Sequence, residues 1–334
     1  MQKKEKIKAV GLFSGGLDSA LAIRLIQEQG IEVIALNFVS LFCTCTGGGC
    51  SIVDLAKKLG VPIKTMNKGE EYMKIIRHPK HGYGKNMNPC IDCRIFILEK
   101  AKEYAKEIGA KFIFTGEVLG QRPMSQHYET LLMIEKEVGL SGKIVRPLCA
   151  GLMPPTEAEE KGWISREQLL KFNGRSRAPQ LDLAKRYAID GFMCGGSGCR
   201  LTDPGYAKRI RDLFAHGDEP SMKDIKLLAF GRHFRIQDNK IIVGRNEQEN
   251  DALLRLRDDD DMIFEAKGVV GPVTILVGKP SEEAKALAAA LTARYSDSKE
   301  EQVLIRPGAI GAGHMQEILS KKISDDELKK YMIL

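Results

Sequence analysis

The sequence predicts an α/β protein, a doubly wound parallel sheet followed by a second, smaller α+β domain. Three observations carry this. Strand, helix and strand fit within residues 7–38, a βαβ unit that places its two strands parallel. Alternation of apolar runs with helical spacing then continues to residue 115. Beyond a polar stretch with Gly and Pro at 216–224, the texture changes to short strands with fewer helices between them.

Residues 7–13 form an apolar run bounded by charge before and Ser-Gly-Gly after, which reads as a buried strand. Residues 18–29 carry apolar side chains at helical spacing and end at Gly30, a C-cap signal. Residues 31–38 read as the second strand. A helix at 51–59, a short strand at 61–63, a helix at 91–108 and a buried strand at 111–115 extend the pattern. Helices are expected at 165–173, 181–188 and 205–214. In the second domain, strands are expected at 226–236, 240–244, 262–267, 273–277 and 302–306, with helices at 246–256, 281–294 and 324–331. The domains are therefore read as 1–215 and 225–334.

The chain has 334 residues, enough for two buried cores, with 43% hydrophobic and 28% charged residues. No apolar run is long enough to cross a bilayer, and the charged start lacks the apolar core of a secretory signal. A cytoplasmic protein with no membrane partner is expected. The net charge of +7 is unevenly spread: residues 1–215 hold 33 Lys and Arg against 23 Asp and Glu, and residues 216–334 hold 18 against 21. A polyanionic partner would meet the first part, although solvated lysine faces explain the charge more simply. Eight cysteines in a cytoplasmic chain point to metal binding or sulfur chemistry rather than structural disulfides.

In Ser14-Gly15-Gly16-Leu17-Asp18-Ser19 a strand delivers the chain into glycines just before a helix. Backbone N–H groups can turn inward there, and the helix start adds unpaired donors and a positive dipole end. Ser14 and Ser19 can donate hydroxyls to phosphate oxygens. Asp18 would repel phosphate unless a cation lies between them, which assigns it to Mg²⁺. The plain alternative is a tight turn capped by Asp18. Neither a Walker A sequence nor a dinucleotide fingerprint follows any strand.

This segment resembles the PP-loop of the N-type ATP pyrophosphatases, which cleave ATP between the α and β phosphates and adenylate their substrate. A second segment, Gly116-Glu117-Val118-Leu119-Gly120-Gln121 through Ser125-Gln126, resembles a loop of tRNA 4-thiouridine synthetases and, less closely, of tRNA 2-thiouridylases. Arg146-Pro147-Leu148 followed by Pro154-Pro155-Thr156 resembles a thiouridylase stretch. The resemblance covers roughly residues 7–215. It implies an adenine nucleotide alpha hydrolase-like fold. It also implies ATP contacts from Ser14, Gly15, Gly16, Asp18, Ser19, Asn37, Gly116 and Gln121, with Asp18 serving catalysis as well.

The cysteines extend the likeness. Asn88-Pro89-Cys90-Ile91-Asp92-Cys93 opens a helix, where the dipole favours thiolate and the spacing lets both sulfurs face one ion. By itself the pair is ambiguous between zinc, Fe–S and redox chemistry. Asn-Pro-Cys resembles the thiouridylase site, in which this cysteine is catalytic; iron–sulfur-dependent tRNA thiolases carry the second cysteine too. Cys199-Arg200-Leu201-Thr202-Asp203-Pro204 is similar to a later segment of those thiolases. The resemblance implies Cys90 and Cys199 as catalytic, and Cys90, Cys93 and Cys199 as ligands of a [4Fe–4S] cluster with one open iron. Three alternatives stay open. Cys194 can close the site for zinc or Fe–S, Cys90 and Cys199 can act as persulfide carrier and resolving thiol with no metal, and Cys43, Cys45 and Cys50 can bind zinc or simply fill a loop. Cys149 reads as core.

The second domain, through Gly231-Arg232-His233-Phe234-Arg235 and Gly244-Arg245-Asn246, resembles an NFACT-R domain, a family associated with RNA. Arg232, Arg235 and Arg245 can meet phosphates or bases, or can sit as ordinary arginines on a sheet. In the first domain Arg175, Arg177, Arg200, Arg209 and Arg211 are phosphate candidates, while the loop histidines His78, His81 and His127 read as exposed.

Together these imply an ATP-dependent tRNA thiouridine synthase using ATP and Mg²⁺, with tRNA and a sulfur donor (sulfide or a cysteine desulfurase) as partners; a homodimer is allowed for. The ring position stays open, since the Gly116–Gln126 segment leans to 4-thiouridine and the Asn-Pro-Cys and Arg-Pro-Leu segments to 2-thiouridine. Two other readings remain: a PP-loop amide-forming synthetase or small-molecule sulfurtransferase, and a non-catalytic RNA-binding or redox-sensing module.

Overall fold

The computed structural model describes residues 6–43, 52–192, 198–217, 220–309 and 315–333. It divides into two compact units, 1–202 and 203–334.

The first unit begins with β1 (Lys8–Leu12), α1 (Leu17–Glu28), β2 (Glu32–Val39), α2 (Ile52–Lys58) and β3 (Ile63–Asn67). It continues with α3 (Glu71–Arg77), α4 (Cys90–Glu107), β4 (Phe112–Thr115), α5 (Tyr128–Glu137) and β5 (Ile144–Val145), then α6 (Glu157–Glu160) and α7 (Ala178–Arg186). The five strands form one parallel sheet in the order β3-β2-β1-β4-β5. The central β1 is buried over Ala9–Leu12, as its unbroken apolar run requires when helices cover both faces. On one side Ala20, Ile23 and Ile26 of α1 pack on the sheet with Phe112 and Phe114. On the other, Ile95, Leu98 and Ala101 of α4 pack with Val10, Leu12 and Ile113. Strand order reverses between β1 and β4, so their carboxyl ends open a crevice, the usual ligand position of an open α/β sheet.

The second unit runs α8 (Pro204–Ala215), α9 (Met222–Leu227), β6 (Arg232–Ile236), β7 (Asn239–Val243), α10 (Glu247–Leu256) and β8 (Met262–Ala266). Then follow β9 (Thr274–Val277), α11 (Glu282–Tyr295), β10 (Gln302–Ala309), β11 (Ile318–Lys321) and α12 (Asp325–Tyr331). Six antiparallel strands pair in the order β11-β10-β8-β9-β7-β6. The Ala- and Leu-rich α11 buries Ala284, Ala288, Leu291 and Ala293 against Phe234, Phe264 and Ile305.

Several elements differ from the sequence reading. Residues 165–173 form only a short 3-10 turn, Arg166–Gln168, because Leu170 and Phe172 donate their amides to the carbonyls of Pro147 and Leu148 as extended backbone. The expected strand at 226–236 starts at Arg232; before it lies α9, closed by a capping box between Ser221 and Asp224. The division of the chain falls before α8 rather than at 216–224, since Arg235 pairs with Asp212 and Arg209 donates to the Leu228 carbonyl, tying α8 to the second sheet. No helix among the described residues is long and apolar enough to cross a membrane.

Candidate active site

The Ser14–Ser19 segment leaves β1 and enters α1. Gly15 has φ +75°, a conformation that L side chains rarely adopt. Ser19 Oγ donates to the Gly16 carbonyl at 2.8 Å and receives the Ser14 amide at 3.3 Å, closing the loop on itself. The N-cap of α1 is Gly16, which has no side chain to cap the helix. The first-turn N–H groups therefore have no intrahelical acceptor and face outward, as an anion cradle needs. Asp18 is not the cap. It turns away, its Oδ2 accepting from Gln121 Nε2 at 2.9 Å and its buried Oδ1 lacking a partner.

Gln121 brings in the second loop, which leaves β4 at Thr115. A Cβ on Gly116 would fall 2.6 Å from the carbonyl of Asp18 and the amide of Ser19. Only glycine lets the two loops approach this closely. Asn37, at the end of β2, donates Nδ2 to the Phe13 carbonyl at 2.8 Å and so braces the approach to the loop.

Glu117 ties the loop to the cysteines. It is buried, and its carboxylate pairs with Arg94 at 3.1 Å and Arg146 at 3.0 Å; Arg146 also pairs with Glu135. Burial alone would raise the Glu117 pKa, but the two guanidiniums outweigh it and hold the carboxyl below its ordinary value. Arg94 directly follows Cys93, and Arg146 belongs to the Arg-Pro-Leu segment. One buried carboxylate thus joins three separate sequence motifs.

Cys90 opens α4, and Asn88 Nδ2 contacts its sulfur at 2.7 Å. Lys68 Nζ lies 3.0 Å from Cys93 Sγ and 4.3 Å from the centre of the buried Tyr72 ring. Burial raises the Cys199 thiol to about 11, and the charges of Cys93 and Cys90 add to the rise. Burial likewise raises Cys90, with Cys93 adding and Arg122 and Arg94 opposing. Among the described residues, no group of three His, Cys, Asp or Glu side chains is placed to hold a metal ion. Cys43 forms an antiparallel bridge with Cys199, beside the Arg200 amide that donates to the Phe42 carbonyl at 2.8 Å. Cys149 is buried core, donating to the Glu117 carbonyl at 3.3 Å. Cys45, Cys50 and Cys194 lie outside the described residues.

Lys68, Tyr72 and the Cys43–Cys199 pairing were not singled out from sequence. One signal was available for Lys68: it follows β3, at the carboxyl end of a parallel strand, where ligands gather. His81, read as exposed, is instead held between Asp92 at 3.0 Å and Glu137 at 3.1 Å, which fixes the Cys90–Cys93 turn to α5. In the second unit Arg235 and Arg245 are occupied by Asp212 and Glu249, and Arg232 lies over Tyr295.

Residues 5–152 match the family model described as thiamine biosynthesis protein (ThiI), and residues 231–332 match the NFACT protein RNA binding domain. The chain thus carries one segment similar to the ThiI family and a later one similar to the NFACT RNA-binding domain. Over 150 residues it is 29% identical to a probable tRNA sulfurtransferase of Thermococcus kodakarensis, covering 42% of this chain and 36% of that protein. Over 155 residues it is 32% identical to the tRNA-specific 2-thiouridylase MnmA of Flavobacterium johnsoniae, covering 42% and 35%. The match thus spans little more than a third of these relatives' length. Among solved structures, the U34-tRNA thiolase NcsA from Methanococcus maripaludis with its [4Fe-4S] cluster aligns at 14% identity and TM-score 0.34, over 67% of this chain and 71% of that one. That likeness is too loose to bear on mechanism. The ThiI-type match ends at 152, so Cys199 and α7 lie beyond it.

Proposed function

We propose that the protein thiolates tRNA at the expense of ATP. The observation that carries this is the placement of Glu117, which sits in the loop packed on the PP-loop and pairs with the arginine beside Cys93. Activation and sulfur delivery then share one crevice. A uridine carbonyl oxygen attacks the α-phosphorus of ATP, the bond to the β-phosphate breaks, and pyrophosphate leaves against the Ser14–Ser19 cradle. Sulfide then bonds to the ring carbon and the carbon–oxygen bond to AMP breaks, leaving a thiocarbonyl. The target base is unstacked to reach the crevice.

Asp18 Oδ1, buried and unpartnered, suits a Mg²⁺ that accompanies ATP. Cys90, Cys93 and Cys199 would hold the [4Fe–4S] cluster that the likeness to iron–sulfur-dependent tRNA thiolases implies, Cys90 and Cys93 one turn apart at the start of α4. Such a group supplies an iron that binds hydrosulfide. Lys68 contacts the Cys93 sulfur, and Asn88 orients Cys90. The unit with the NFACT-like segment is proposed as a further RNA contact beside the basic first unit.

A second route has its own support in Cys43 facing Cys199. A persulfide on Cys199, formed by sulfane transfer from the persulfide of a cysteine desulfurase, bonds through its outer sulfur to the ring carbon as AMP leaves. Cys43 thiolate then attacks Cys199 Sγ, releasing the thiolated base and forming a disulfide that an external dithiol reduces. Pyrophosphate release by anaerobically purified protein tests the shared first step. It should require tRNA and vanish in Asp18→Asn; release that tRNA does not stimulate contradicts the proposal.

A further inference from the structure

Gln180 lies on α7, outside every motif named above, and is 1% exposed. Its Nε2 donates to Gln121 Oε1 at 3.2 Å, and Gln121 Nε2 donates to Asp18 Oδ2 at 2.9 Å. The sense of this chain is set at one end. An ionised carboxylate only accepts hydrogen bonds, so Gln121 must present its NH₂ to Asp18. Its oxygen then faces Gln180, which must donate in turn. With Oδ2 held in this way, Asp18 keeps a single free oxygen, the buried and unpartnered Oδ1.

α7 is itself anchored to the PP-loop helix. Leu17, Leu21 and Leu25 of α1 pack with Ala184 and Leu183, and Tyr187, which follows α7, donates to Glu28 at 2.6 Å. Burying each such leucine is worth roughly 1.5–3 kcal/mol, so Gln180 is carried on a firmly seated helix. Mg²⁺ demands near-ideal octahedral geometry and usually takes few protein ligands, so the orientation of one carboxylate oxygen matters.

We infer that Gln180 is a positioning residue for the metal of Mg–ATP, acting through Gln121 to make Asp18 a one-oxygen ligand. The inference rests on the PP-loop reading of Asp18. Gln180→Met keeps the length and shape of the side chain and removes the donor. The test is Mn²⁺ binding to the full chain, read by electron paramagnetic resonance with ATP present and without tRNA. Gln180→Met should weaken Mn²⁺ binding about three- to ten-fold, the net worth of one hydrogen bond. Metal-free ATP binding should stay within about two-fold of the parent, less than the worth of one hydrogen bond. In a Gln121→Ala background Gln180→Met should have no further effect, which a packing role for Gln180 would not produce. Gln180→Leu serves the same comparison should the Met variant fail to fold. If Asp18→Asn leaves Mn²⁺ binding intact, the metal assignment itself fails. If Asp18→Asn abolishes it and the folded Gln180 variants match the parent, the inference about Gln180 is overturned and the PP-loop reading stands.

Discussion

Glu117 carries a charge that is almost wholly removed from water and is stabilised by Arg94, Arg146 and the Thr115 hydroxyl. Removing one member of a buried ionic group leaves the others unpaired, at a cost of roughly 3–5 kcal/mol. Glu117→Ala is therefore expected to lower the denaturation midpoint strongly and to loosen the start of α4, read as faster alkylation of Cys90. Lys240 shows the reverse case. It is buried with its Nζ unpartnered. Burial, helped by Arg235 and Arg209 and opposed by Asp212 and Asp224, lowers its pKa from 10.5 to about 8. Below about pH 8 the amine is charged in both folded and unfolded chains, and the folded state carries the full penalty. Between about 8 and 10.5 the unfolded chain binds more protons, so stability rises with pH. The rise is bounded at about 3 kcal/mol, and Lys240→Met should remove it while stabilising the protein at pH 7. Neither residue was legible as buried from sequence, because a lone Glu or Lys reads as surface until its partners across the fold are known.

At the scale of elements, the strand that ends at Ser14 and the one that ends at Gly116 were both readable as apolar runs closed by glycine. Their meeting was not, because it depends on strand order, which places β4 beside β1. Gly116→Ala tests the meeting. Its Cβ would enter the backbone of Asp18 and Ser19, so the variant should keep its sheet, read by circular dichroism, and lose ATP binding by more than about ten-fold. The Leu-Thr-Asp-Pro segment likewise acquires a local cause. Asp203 caps α8 by accepting the Tyr206 amide at 2.7 Å, and Thr202 folds back to the Cys199 carbonyl at 2.7 Å. The facing of Cys43 and Cys199 could not be read at all, since they lie 156 positions apart in the chain. Their bridge, flanked by the bond from Arg200 to Phe42, is the narrow antiparallel type with Cα atoms about 4.5 Å apart, which lies within disulfide range. Metal-free protein treated with diamide should form a Cys43–Cys199 disulfide, seen by peptide mass spectrometry and absent in Cys43→Ser.

Across the whole molecule, the basic excess of residues 1–215 lies in the part that holds the ThiI-like segment, while the part that holds the NFACT-like segment is mildly acidic. Two of the three arginines expected to serve RNA there are paired with carboxylates. Affinity for tRNA should accordingly fall with salt mainly through the first unit. Arg122→Ala should weaken binding more than Arg235→Ala in filter-binding assays. The central claim is that one crevice both adenylates a uridine and delivers sulfur to it. Mass spectrometry of nucleosides from tRNA incubated anaerobically with the full chain, Mg–ATP and sulfide tests it most directly. A thiolated uridine that appears with the parent protein and disappears in both Asp18→Asn and Cys90→Ala is the predicted result. Thiouridine that persists in either variant, or its absence with parent protein that turns over ATP on tRNA, would contradict the account.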